Sequence, residues 1–216
     1  MMSLAELWQR LLDFFWPPPP LTYPGGMKVS VTAFGQPSTF SLSKAVREFK
    51  SFIEDNSSIK LDIHLVQEDK LPAAEIPQYE TPGTCFMVTP QSLSTQSRAK
   101  MPSNMKTEIV VYDTQDRTNC FGGLHWGYPV PFIAIPYSNS LTWDLRWKTS
   151  LAPGLVHEFT HALYAILRTK GFDGFPDIDK ANDYGFTDQN DPGWIKFRKY
   201  CLGLITQEMA NALMKD

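Results

Sequence analysis

Residues 152 to 170, APGLVHEFTHALYAILRTK, constrain the fold more than any other stretch of this chain of 216 residues. Leu155, Val156, Phe159, Ala162, Leu163 and Ile166 recur at helical spacing, so the segment reads as a largely apolar helix that belongs inside the molecule. Pro153 suits a first turn, Gly171 suits the position just past the last, and Arg168 and Lys170 favour the carboxyl end. Within this helix stand His157, Glu158 and His161. Histidines four apart lie one above the other on one face, and the glutamate between them projects beside the first. At this chain's own histidine and glutamate frequencies, the pattern H-E-x-x-H arises by accident in about 0.3% of such sequences. Two buried imidazoles and a carboxylate with neither cation nor partners would lose several kcal/mol in desolvation. The helix therefore demands a charge-matching occupant, and a metal ion fits that demand.

On His157-Glu158-Phe159-Thr160-His161 the chain resembles the H-E-x-x-H zinc metallopeptidases, the zincins. The resemblance extends over about residues 107 to 188, where β-rich segments precede the helix much as in the zincin upper lobe, an antiparallel-edged sheet packed over the active-site helix. It implies a zinc cofactor held by His157 and His161, with Glu158 as the general base. It also implies a protein or peptide substrate, cleaved by an endopeptidase reaction in which a zinc-activated water attacks the peptide carbonyl.

The third ligand is open at this level. Tyr164 and Leu167 stand where a metzincin has Gly and His, so that branch is excluded and a downstream carboxylate must serve. Asn182-Asp183 lies about where gluzincins place an Asn-Glu pair, and Tyr184-Gly185 follows, similar to the Tyr-Gly pair of aspzincins. The resemblance thus favours Asp183 as third ligand. Glu208 is the rival, because some small gluzincins carry the glutamate at the start of a final helix, here the segment 205 to 215; Asp177 and Asp179 stand behind both. His125 reads more simply as a polar loop residue than as a ligand. By the same resemblance Tyr184 is a candidate donor to the oxyanion, while Tyr164 and Tyr200 read as packed aromatics.

The rest of the chain sets the expected fold class: α+β and zincin-like, a small mixed β-sheet packed on the active-site helix, with a helical C-terminal part. Lys28 to Phe34 is β-rich, residues 41 to 55 place Leu42, Ala45, Val46, Phe49 and Phe52 on one helical face, and residues 60 to 67 alternate, with Leu61, Ile63 and Leu65 opposite Asp62 and a solvated His64. A short strand near Thr84 to Val88 and another over 107 to 113 follow. Prolines at 129, 131 and 136 direct the aromatic-rich run at 131 to 137 to a sheet edge or loop rim, where an extended substrate could pair. The catalytic domain is expected over 27 to 216. Ahead of it, Leu4, Leu7, Trp8, Leu11, Leu12 and Phe15 form one stripe on a helix over 1 to 16, joined by a Pro/Gly linker at 17 to 26 and docking on its own domain or on a partner.

Composition excludes several classes. Lys+Arg 20 against Asp+Glu 23, with no basic run, gives no footprint for nucleic acid. No stretch approaches the roughly 18 apolar residues of a membrane span. The start lacks a secretory signal, so the expected location is cytoplasmic, or exported without a recognisable signal peptide. Cys85, Cys120 and Cys201 read as free, buried thiols. Two alternatives to the peptidase stand beside it: a non-catalytic interaction or assembly module that keeps the fold, and a zinc amidase acting on a non-peptide amide.

Overall fold

A computed structural model of the chain describes residues 20–34, 39–68, 104–113, 124–126, 130–137, 141–180, 185 and 191–215. Five strands, β1 (Met27–Phe34), β2 (Leu61–Glu68), β3 (Thr107–Asp113), β4 (Leu124–Trp126) and β5 (Phe132–Tyr137), form one sheet in the order β2-β1-β3-β5-β4. The first four positions in that order run parallel, and β4 closes the sheet as a short antiparallel edge. Among the described residues four helices accompany it: α1 (Thr39–Asn56), α2 (Leu141–Thr169), α3 (Pro192–Gly203) and α4 (Gln207–Met214). A mixed sheet packed on a long helix, with helices at the C-terminal end, is the expected architecture. The N-terminal helix at 1 to 16, the strand near Thr84 to Val88, Cys85 and Cys120 lie outside the described residues.

The alternation of β1 sorts its side chains. Val29, Val31 and Ala33 join Leu61, Ile63, Ile109, Val111, Ile133 and Ile135 in the core, while Ser30 and Thr32 take the opposite face and are equally buried. All four helices contribute to that one core, so they lie against a single face of the sheet. Helix α1 buries Leu42, Ala45, Val46 and Phe49 of the stripe read from its sequence; Ile53 joins them in the core and Phe52 is only partly buried, and Phe49 meets Phe159 of α2 edge-on with ring centroids 5.1 Å apart. His64 is exposed on β2, as expected. Tyr200 is not a packed aromatic: it is 59% exposed, because α3 turns Trp194, Phe197 and Cys201 inward and leaves Tyr200 off that stripe. Cys201 is the buried free thiol expected of it. No helix among the described residues is long and apolar enough to cross a membrane.

Two expectations drawn from prolines do not hold. The prolines at 129, 131 and 136 direct the run at 131 to 137 to a sheet edge or loop rim, yet β5 lies between β3 and β4 in the sheet. The carbonyl of Pro131 accepts from the Glu108 amide, so the odd-numbered residues of β5 bond to β3 and the even-numbered ones turn toward β4. Among the described residues β4 pairs with Phe132, Ile133 and Ala134, so Pro136, which has no N–H to give, lies outside the described part of that ladder. Pro153, likewise, does not open its helix: α2 begins at Leu141 and carries Pro153 in its interior. An interior proline costs about 3 kcal/mol. Burial of Leu151, Ala152, Leu155 and Val156 on either side of it offsets that cost, and Arg198 of α3 donates to the Pro153 carbonyl at 3.0 Å.

The start of the sheet is fastened by a buried cation. Lys50 of α1 donates to Glu54 and to the Leu61 carbonyl, while Glu54 accepts from the Leu61 amide at 2.9 Å, so one ion pair ties α1 to the head of β2. Opposite it, a Cβ at Gly26 would lie 2.9 Å from the Lys60 carbonyl oxygen and 3.0 Å from the Asp62 amide nitrogen, which requires glycine where the chain enters β1. Lys50→Met is expected to lower unfolding stability by about 2 kcal/mol, since it removes the buried charge paired with Glu54 and the side-chain donor to the Leu61 carbonyl. Chemical denaturation would measure it, and a change below a few tenths of a kcal/mol would show that the pair is dispensable.

Candidate metal centre

The centre forms on one turn of α2. Phe159, Leu155, Ala162 and Leu163 hold that turn in the core, and Thr160 returns its hydroxyl to the Val156 carbonyl at 2.6 Å, so the opposite side of the turn is fixed in direction. His157 and His161 project from it with ring centroids 4.8 Å apart and planes at 86°. Glu158 is buried, 5% exposed, and its Oε1 lies 3.8 Å from His157 Nε2. One donor atom from each of these three residues falls within 4.8 Å of the others.

The wall behind His157 comes from α3. Asp191 caps that helix by accepting from the Gly193 amide at 2.7 Å, with Pro192 in the first turn, and this places Trp194 against His157 at 5.3 Å between ring centroids. Arg198 sits over the Trp194 ring at 4.7 Å and is 2% exposed. Among the described residues His157 Nδ1 has no hydrogen-bond partner, and the ring packs on Trp194. Neither Trp194 nor Arg198 was singled out from sequence. The Asp191-Pro192-Gly193 helix start is legible, but that it seats an indole against His157 depends on how α3 crosses α2.

The floor comes from the chain after α2. Gly171, at φ +87°, ends the helix: its amide bonds to the Arg168 carbonyl and the Phe172 amide to the Leu167 carbonyl, the paired closure that glycine at this position allows. The returning segment is pinned by Phe175, stacked on Tyr164 at 4.3 Å, and Tyr164 donates to the Cys201 carbonyl at 2.8 Å. Ile178, 2% exposed, then anchors a 3₁₀ turn over residues 178–180, and Asp177 accepts from the Asp179 amide at its head. Asp179 thereby comes to His161 Nε2 at 3.1 Å and to His157 Nε2 at 3.7 Å through the same oxygen.

The structure thus joins His157, Glu158 and His161, as the pattern required, and adds Asp179. Asp183 and Tyr184 lie outside the described residues, as does the side chain of His125. Glu208 is exposed in the first turn of α4. Tyr164 and Leu167, at the positions where a metzincin has Gly and His, are buried in the core and offer no ligand to this face.

Burial pushes the His157 imidazole down to about 4, and the neighbouring Glu158 carboxylate opposes the shift only in part. The sign for stability follows. Unfolded, this histidine takes up its proton as pH falls through about 6.5, whereas the folded chain resists until about 4, so the metal-free protein loses stability across that window as pH falls. The loss is expected to reach about 3 kcal/mol by its lower end, and His157→Gln should remove that part of the slope. Denaturation midpoints of the metal-free chain and the variant, taken between about pH 7 and pH 4, check it; parallel curves would refute it.

No family profile matches the sequence, and no curated protein does. Among solved structures the chain is similar to the crystal structure of archaemetzincin from Methanopyrus kandleri, at 14% identity over 64% of this chain and 74% of that one, with a TM-score of 0.43. So slight a likeness assigns neither family nor activity.

Proposed function

We propose that this chain is a zinc-dependent hydrolase acting on peptide bonds, with His157 and His161 holding the metal and Glu158 as the general base. The observation that carries this reading is the convergence of two imidazoles and one buried carboxylate within 4.8 Å on a single helix turn. The donor set fits the ion: neutral imidazole is the form a metal takes, and burial keeps His157 neutral at any pH well above 4.

When bound, zinc supplies a Lewis acid that polarises the scissile carbonyl and lowers the pKa of a water. The chain supplies the rest. Glu158, fixed by burial one residue past His157, accepts the proton of the attacking water and passes it to the leaving amine, so one carboxylate serves as base and then as acid. Trp194 keeps the His157 ring in place through the cycle. An extended peptide would add to β4, the outermost strand of the sheet among the described residues and one that runs beside α2, rather than to β5, which is paired on both sides.

The test is hydrolysis of a mixed peptide library by the purified chain, abolished by a chelator and restored by zinc but not by magnesium. Cleavage that survives complete removal of metal would rule the reading out.

A further inference from the structure

We propose that Asp179, behind Asp183 and Glu208 on sequence grounds, is the third protein ligand of this metal centre. The inference rests on the reading of His157 and His161 as ligands and carries it one step further.

Three observations support it. First, one oxygen of Asp179 faces the same nitrogen of both imidazoles, at 3.1 Å from His161 Nε2 and 3.7 Å from His157 Nε2. A carboxylate that merely steadied a histidine from behind would take one nitrogen of one ring, on the side away from the ion. Convergence on both Nε2 atoms places Asp179 on the ion's side. Second, donors bound to one zinc at about 2.0–2.2 Å in tetrahedral array stand about 3.3–3.5 Å from one another, and the two Asp179 separations bracket that edge length. Third, the backbone that carries Asp179 is built in: Gly171 reverses the chain, Phe175 stacks on Tyr164, Ile178 is buried, and Asp177 caps the turn. The Asp179 side chain is 69% exposed, so it closes the centre from the solvent side, where an ion and a substrate enter.

The experiment is zinc affinity by competition with a chromophoric chelator, together with the visible absorption of the cobalt(II)-substituted chain. It compares the intact protein, Asp179→Asn, Asp183→Asn, Glu208→Gln and the His157→Ala, His161→Ala pair. Because the Asp179 side chain is exposed, Asp179→Asn should fold, and thermal melting of the metal-free forms checks this. Expected is a loss of zinc affinity in Asp179→Asn beyond about 100-fold, the upper range for loss of an outer-shell partner, with altered cobalt bands and little change in Asp183→Asn and Glu208→Gln. A smaller loss with an unchanged cobalt spectrum, or the large loss appearing at Asp183 or Glu208 instead, overturns the assignment and leaves the histidine reading intact. Failure of the intact chain to bind zinc more tightly than the double histidine variant overturns both.

Discussion

Glu158→Gln is expected to bind zinc at the stoichiometry of the intact chain and to lose peptide hydrolysis by about 10²–10⁴-fold, the range a positioned general base contributes. The substitution is nearly isosteric at a residue only 5% exposed, so packing around the helix turn is preserved while the basic oxygen is removed. Its amide can still hydrogen-bond, yet it cannot take a proton from water near neutral pH. Turnover, metal content and melting temperature should be measured on the same preparation. Retention of activity within tenfold would remove Glu158 from the mechanism. If the intact chain binds zinc and cleaves no peptide, two alternatives remain: an interaction module that keeps the metal, and an amidase, which assays on non-peptide amides would detect.

The second large effect concerns the metal itself. The intact protein is expected to carry about one zinc per chain, and the His157→Ala, His161→Ala variant none. At free zinc a thousandfold above its dissociation constant, a ligand that binds only the folded state contributes about 4 kcal/mol. For a chain of this size that raises the melting temperature by roughly 8–16 °C. The double variant should melt at the same temperature with and without zinc. Truncating His157 also leaves a void beside Trp194, so the variant is expected to be less stable at baseline; the zinc-dependent increment, compared within each protein, is unaffected by that loss. Equal zinc content or equal zinc-induced shifts in the two proteins would show that these histidines are structural.

The sequence by itself determined the elements with strong periodicity and the pair of histidines. Residues 107 to 113, the stripe of α1, the alternation of β2 and the Gly171 helix end are local matters: side-chain period, burial and a positive φ are written in consecutive residues. The H-E-x-x-H spacing belongs to the same class, because residues four apart on a helix share a face whatever surrounds it. Only the tertiary structure decided the rest. Pro153 inside α2 and Pro136 in an interior strand each override a local preference, the first through core packing and the Arg198 bond. Asp179 is the sharper case. Its sequence distance from His161 does not distinguish it from Asp177 or Asp183. What brings it to both imidazoles is a reversal at Gly171 followed by anchoring of Phe175 and Ile178 in a core built by distant segments. Periodicity records which face of an element is buried, whereas the meeting of two elements is set by packing across the whole core, which no single stretch of chain contains.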